Sequence, residues 1–490
     1  MRKLFRFFTR SAIFAFIILA GIVTTRTITF SKKQIPAAPA PLIAISDTVS
    51  QRLSKAIQLP TISASNHFDS LAFRQLDTLL IQSFPLVDSF LEKRKLNDFA
   101  TILKWQGKNP KLTPILLTGH MDVVPAEEAS FAQWQMPPFS GAIQDGYIWG
   151  RGTLDDKSAV LGILEAAEHL LQEDYVPERT VYFAFGHDEE VSGKHGAKAI
   201  AQFFQKQAIR FEYVMDEGLL MVEKALPGLN KPLAMIGIAE KGYVTLHLTA
   251  QMQDGGHSSM PPDATTIGIL SKAITRLEEN PFPMKLDGAT KRLLEYAGPE
   301  MSLPFKAVFA NLWLTKALLK NQFASDPGSN AMIRTTTAPT IISGGVKENV
   351  LPTTATAKVN FRILPGETTE SVAAFVKKTI ADERITVRID TMDSAQNPSP
   401  LADTDTFGFL VIQKSIREIF PDVIVAPSLV IGATDGRHYQ LVSDQVYRFL
   451  PVQLNRSDLK SIHGINERIS VESYKQLIRF YRQLILNSCK

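Results

Sequence analysis

The chain has 490 residues, 45% of them hydrophobic and 21% charged, with 28 Gly, 28 Pro and a single Cys, which excludes disordered, collagen-like and disulfide-scaffold classes. The formal charge of +4 is uneven: seven basic residues precede Asp47, the first acidic one, and the remainder carries 46 basic against 49 acidic residues. With no concentrated basic surface in the body, a nucleic-acid partner is not expected.

At the N-terminus, MRKLFRFFTR leads into the uncharged stretch SAIFAFIILAGIVTT, the pattern of an export signal or signal-anchor. The flanking apolar residues Phe5, Phe7, Phe8, Ile28 and Phe30 extend it, and no small-x-small cleavage site follows. The expectation is therefore an uncleaved single-pass anchor over residues 1–30, basic end in the cytoplasm and body outside it, periplasmic or extracellular. SKKQIPAAPAP then reads as a stiff spacer over 31–46.

From residue 47 strand-like and helix-like runs alternate, the mark of an α/β sheet covered by helices. PILLTGHMDVV, TVYFAFGHDEE and FEYVMDEG read as strands ending in His or acid clusters, and SAVLGILEAAEHLLQE between the first two has helical apolar spacing. After residue 240 the texture changes: KGYVTLHLTAQ, TATAKVNFRIL and ERITVRID alternate apolar and polar residues, as half-solvated strands do. The expected domains are a first catalytic part over 47–239, an inserted α+β domain over 240–392 and a second catalytic part over 393–490. Residues 297–324 are notably apolar, and either pack within the inserted domain or form a greasy groove or membrane-facing surface.

Five motifs carry the chemistry: GHMDVVP with His120 and Asp122, GRGTLDDKS with Asp155 and Asp156, HDEEVSG with Glu189 and Glu190, MDEG with Asp216 and Glu217, and IHGINE with His463. Each alone has an ordinary reading as a solvated loop or a helix's first turn. Together they bury several like charges at strand ends, which is costly unless a cation neutralises them. The nitrogen and oxygen donors suit zinc or a similar divalent ion. Of two adjacent acids, one naturally ligates while its neighbour acts on water.

In this order the motifs resemble the aminoacylase and carboxypeptidase S family of co-catalytic zinc metallopeptidases, including its N-fatty-acyl-amino acid hydrolase-like branch. The resemblance implies an α/β catalytic domain with a central mixed sheet and an inserted α+β lid. It implies two zinc ions: His120 on one, Asp155 bridging, Glu190 and His463 on the second, and the acid of MDEG completing the first, with Asp216 preferred to Glu217. Asp122 then matches the acid that orients the ligand histidine and Glu189 the general base. In GGHSSMPP, His257 resembles the lid histidine that polarises the scissile carbonyl. ENVLPTTATAKVNFRILPG and GATDGRHY make Asn349, Arg362 and Arg437 candidates for substrate binding, Arg437 through a bidentate fork to a carboxylate. The implied activity is amide hydrolysis releasing an amino acid from a peptide C-terminus or from an N-acyl amino acid. The resemblance also admits a homodimer. Two rival classes are an inactive membrane-anchored binding protein on a peptidase fold, and a phosphatase or other two-metal hydrolase. The complete set of ligand types speaks against the first, and the lack of a phosphate-cradling Gly-rich loop against the second.

Overall fold

The computed structural model describes residues 2–64, 67–390 and 395–490; the expected boundary at 392/393 lies outside them. Helix α1 (Arg2–Thr29) is apolar and, up to its last turns, where Thr27 is buried, mostly exposed, and at about 1.5 Å per residue it is long enough to cross a bilayer. Its last turns and the segment after it lie against the body. The Gln34 side-chain amide donates to Val425 O at 2.8 Å and accepts from Val425 N at 2.9 Å, Gln413 donates to Lys33 O, and Ala40 N donates to Glu418 O. The segment that sequence alone reads as a stiff spacer is seated on the body.

The main sheet begins with β1 (Glu92–Leu96), β2 (Ala100–Trp105), β3 (Ile115–His120), β4 (Val181–Gly186), β5 (Val214–Asp216), β6 (Met221–Val222) and β7 (Leu233–Glu240). The chain then builds a second sheet from β8 (Gly242–Gln251), β9 (Thr336–Gly344), β10 (Thr354–Ile363) and β11 (Ile385–Ile389). It returns to the first with β12 (Ile424–Val430), β13 (Val446–Arg448) and β14 (Gln453–Leu454). Among the described residues the main sheet runs β14–β6–β7–β13–β5–β3–β4–β2–β1, with β12 parallel to β7. It is mixed: β3 is parallel to both β4 and β5, whereas β2 is antiparallel to both β1 and β4. Every residue of β3 and β4 is buried, as expected of strands covered on both faces.

Two of the covering helices are α2 (Thr48–Ile57) and α3 (Lys157–Gln172). At the C-terminal end of the chain, α4 (Val471–Ser488) packs on α3, where Gly162 permits the contact because a Cβ there would come within 2.0 Å of Leu477 Cδ2. That helix ends inside the fold, with Cys489 buried and its carbonyl accepting from Glu178 N.

The second sheet is antiparallel, in the order β9–β10–β8–β11. Alternate residues of β10 are buried, and Val244, Leu246, Val359 and Phe361 meet the helices Thr266–Glu279 and Thr369–Ile380 in a core of their own. Between those strands the apolar side chains of residues 286–333 join the core of the main sheet instead, through Leu293, Leu294, Phe309, Leu319 and Phe323.

Candidate active site

Three neighbouring strands of the main sheet deliver their ends to one point, as open α/β sheets do with ligand groups. β3 ends in His120, β4 leads into the turn carrying Glu189 and Glu190, and β5 ends at Asp216. His120 Nε2 lies 2.8 Å from Asp155 Oδ1, and the other ring nitrogen lies 3.4 Å from Asp122 Oδ1 and 3.0 Å from Asp122 O. On the far side of the same carboxylate, Asp155 Oδ2 is 3.0 Å from His463 Nε2, which also lies 3.3 Å from Glu190 Oε1. Asp155 therefore sits between two histidines that are far apart in sequence, His120 and His463. His120, Asp155 and Glu190 each present a ligand atom, all within 4.8 Å of one another.

Asp122 is fully buried and holds more than the histidine ring: its two oxygens accept the backbone N–H groups of Glu189 and Glu190 at 3.2 and 3.1 Å. The ring and the acid turn are thus positioned by one carboxylate. Electrostatics at the centre are dominated by crowded anions. Burial raises Glu189 well above the ordinary carboxyl range, with His120 opposing and Asp435 and Glu190 adding to the rise. Burial raises Glu217 likewise, and Asp155, Asp216 and Asp156 push it further. His463 is lifted to about 10 by its hydrogen bonds to Asp155 and Glu190.

The 116–487 segment matches the model of peptidase family M20/M25/M40. A probable carboxypeptidase S-like 2 of Dictyostelium discoideum is 42% identical over 448 residues, covering 90% of this chain and 85% of that protein. An N-fatty-acyl-amino acid synthase/hydrolase PM20D1 of Xenopus tropicalis is 42% identical, covering 89% and 85%. Among solved structures, an M20 family metallo-carboxypeptidase from Sulfolobus solfataricus superposes with a TM-score of 0.64 at 17% identity, covering 90% of this chain and 99% of that one. This chain belongs to peptidase family M20/M25/M40. It is a hydrolase, and the expected α/β fold with a central mixed sheet is the fold this M20 peptidase has.

The buried donor set of the M20 site fits divalent cations. Asp156 Oδ1, Asp216 Oδ1 and both Asp435 oxygens are buried with no hydrogen-bond partner among the described residues, and so many desolvated carboxylates need a positive charge close by. Asp156 also accepts from His120 N at 3.3 Å. The two acids of MDEG diverge. Asp216 accepts from Gly436 N at 2.5 Å and has Thr434 and Arg448 as its favourable neighbours, whereas the charged neighbours of Glu217 are Asp155, Asp216, Asp156 and His120.

A cleft of about 760 Å³ opens beside the centre, and Glu189, Glu190, His463, Tyr243, Arg362 and Arg437 are among the residues that line it. Arg362, on β10, stacks over the Tyr243 ring at 4.9 Å. The cleft therefore combines the acid centre of the main sheet with the guanidinium of Arg362 from the second sheet and that of Arg437 from the turn after β12. His257 and Asn349 are elsewhere. They belong to the small ribbon Gly256–His257 with Val350–Leu351, where His257 is exposed with its Nδ1 2.8 Å from Ser259 Oγ, and the Asn349 carbonyl accepts from Ser258 N.

Sequence reasoning assigned no role to Glu467 or Asp435, though both lie inside quoted motifs. Glu467 is buried, accepts from the backbone N–H groups of Gly152, Leu154 and Asp155 at 3.0, 2.9 and 3.4 Å, and pairs with the Arg151 guanidinium. It ties the segment bearing His463 to the loop bearing Asp155; burial pushes it up to about 7. Asp435 packs on the backbone of Gly193, whose φ of +63° suits glycine and where a Cβ would meet Asp435 Oδ1 at 2.1 Å. The charge of the buried acid was visible in the sequence, but not what covers it.

Proposed function

We propose that this M20 peptidase is a two-zinc amide hydrolase that releases an amino acid with a free carboxylate, from an N-acyl amino acid or from a peptide C-terminus. The observation that carries this reading is the cleft itself, whose lining brings Arg437 and Arg362 together with Glu189 and His463. Arg437 takes the carboxylate through a two-pronged contact, which fixes the scissile carbonyl next to Glu189.

His120, Asp155 and Glu217 would hold one ion, and Asp155, Glu190 and His463 the other; the surroundings of Glu217 favour it over Asp216, which is engaged by Gly436. Bound zinc supplies Lewis acidity, lowering the pKa of water and stabilising negative charge on the carbonyl oxygen. Glu189 takes the proton from water as its oxygen adds to the amide carbonyl carbon. When the C–N bond breaks, Glu189 gives that proton to the departing amine, leaving a carboxylate and a free amino acid. Asp122 keeps the His120 ring and the Glu189 backbone in register throughout. The second sheet acts as a lid, and His257 reaches the carbonyl only when that lid has moved from the arrangement described above. The domain boundaries expected from sequence, at residues 240 and 392, mark this lid. Helix α1 serves as a single-pass signal-anchor that keeps the body outside the cytoplasm.

The test is hydrolysis of N-acyl amino acids with acetyl to oleoyl chains beside blocked dipeptides, with Glu189→Gln as control. Long-chain preference makes the enzyme a lipid-amide hydrolase, and dipeptide preference a carboxypeptidase. Glu189→Gln should lose roughly 10²- to 10⁴-fold in kcat while binding the same amount of zinc. A protein that binds zinc and cleaves nothing in the panel overturns the proposal. Metal analysis of Glu217→Gln beside Asp216→Asn decides the remaining ligand, since only the ligand's loss should lower zinc occupancy.

A further inference from the structure

Residues 297–324, apolar in sequence, neither line the cleft nor lie wholly within the core. The helices Leu303–Ala310 and Leu312–Ala324 bury Phe309, Leu319 and Phe323 against the main core. They leave Leu303 (71%), Trp313 (52%), Leu314 (52%) and Leu318 (66%) exposed. Their charges are one-sided: Lys306, Lys316 and Lys320 occur between Glu300 and Asp326 with no acidic residue. Lys316 is exposed and Lys306 and Lys320 are half-buried at the edge of this surface, and exposed leucines and a tryptophan edged by lysines are what the headgroup boundary of an anionic bilayer selects.

The position of this surface supplies the second argument. The buried amide of Asn311, at the junction of the two helices, donates to Val23 O at 3.4 Å and Thr27 Oγ1 at 3.3 Å in the last turns of α1, while its own oxygen accepts from the Trp313 indole N–H. The Arg26 guanidinium lies 5.9 Å from the centre of the Trp313 ring. Directly after α1, Lys32 pairs with Glu300 at 3.0 Å, and Gln34 is already bound to Val425. No slack separates the apolar helix from the body, so wherever α1 enters a membrane the helix pair is carried to that membrane's surface.

We infer that the helix pair Leu303–Ala324 is a membrane-docking platform, in which Trp313, Leu314 and Leu318 insert at the headgroup level of the bilayer that α1 enters, with Lys316 and Lys320 against anionic lipid. The inference rests on reading α1 as an anchor. It fixes the orientation of the catalytic body on the membrane and does not merely tether it.

The full chain in vesicles of phosphatidylcholine and phosphatidylglycerol tests both statements separately. Flotation with the vesicles reports on α1. Quenching of tryptophan fluorescence by brominated chains of the same lipids reports on the platform, because Trp105, Trp134 and Trp149 are buried and Trp313 is the accessible one. The expected result is quenching that is largely abolished by Trp313→Phe, and reduced by Leu314→Glu with Leu318→Glu while flotation and hydrolysis of a soluble N-acetyl amino acid stay unchanged. Flotation with unquenched Trp313 overturns docking and leaves the anchor standing. Absence of flotation overturns both. A Trp313 signal that ignores lipid and follows protein concentration makes the face a contact between copies, which also overturns it.

Discussion

Glu467 illustrates how much of a metal centre lies outside its ligands. Its carboxylate is shared by Arg151 and three backbone N–H groups, so Glu467→Ala removes the anchor of the Asp155 loop and leaves a buried guanidinium unpaired. Breaking such a pair costs roughly 3–5 kcal/mol. Urea denaturation should show a loss of that order, with reduced metal occupancy, although residue 467 touches no ion. Arg437 makes a different prediction: Arg437→Ala should raise KM roughly 10- to 100-fold for carboxylate substrates, in keeping with a charged hydrogen bond. Substrates whose carboxylate is capped as an amide should show no such change, and equal effects on both would remove Arg437 from substrate recognition. The motif residues His120, Asp122, Asp155, Glu189, Glu190 and His463 were legible in the sequence because charged groups at strand ends are unusual and came in a recognisable order. Asp435 was not, because its significance depends on Gly186 and Gly193 pressing on it from a distant turn.

The second sheet behaves as a unit because its core is its own. Leu246→Ala, deep in that core, should cost roughly 2–5 kcal/mol, read as an earlier thermal transition. Lys241 lies where the chain passes from one sheet to the next, buried with its Nζ donating to Ala331 O and Arg334 O at 3.0 and 2.8 Å. Burial brings its pKa from 10.5 down to about 7. Between those values the unfolded chain carries a proton that the folded chain lacks, so stability should rise with pH across that window. Lys157, also brought to about 7 by burial, acts in the same direction. Lys241→Met should flatten part of the rise in a series of urea melts, and an unchanged slope would show that Lys241 titrates normally. At this scale the alternation of β8, β10 and β11 could be read from sequence. The docking of residues 286–333 on the other core could not, because helical periodicity shows that a face is apolar without showing what covers it. The spacer misled for a similar reason: its composition is that of a stiff linker, and its seating depends on Gln34 meeting the backbone of a strand almost 400 residues away.

For the molecule as a whole, the crowded acids make stability depend on the cation. With metal stripped by a chelator, burial holds the carboxyls of Asp156, Glu189, Glu217 and Asp435 above their ordinary values. The folded state then keeps protons that the unfolded chain has released, so stability of the stripped protein should fall as pH rises from the ordinary carboxyl range toward neutrality. Added zinc should restore it by binding only the folded form. Calorimetry with and without chelator at acid and neutral pH checks this, and a gap that fails to widen toward neutral pH would refute it.

The span of the centre along the chain bears on biosynthesis. Asp155 sits between His120 and His463, and the helix that follows, through Cys489, closes the core over α3. A ribosome must therefore pass residue 463 before the centre around Asp155 can be completed. Chains that stop short of His463 lack a residue of the centre, and the hydrolase acquires that centre only after the segment bearing His463 has joined the loop bearing Asp155.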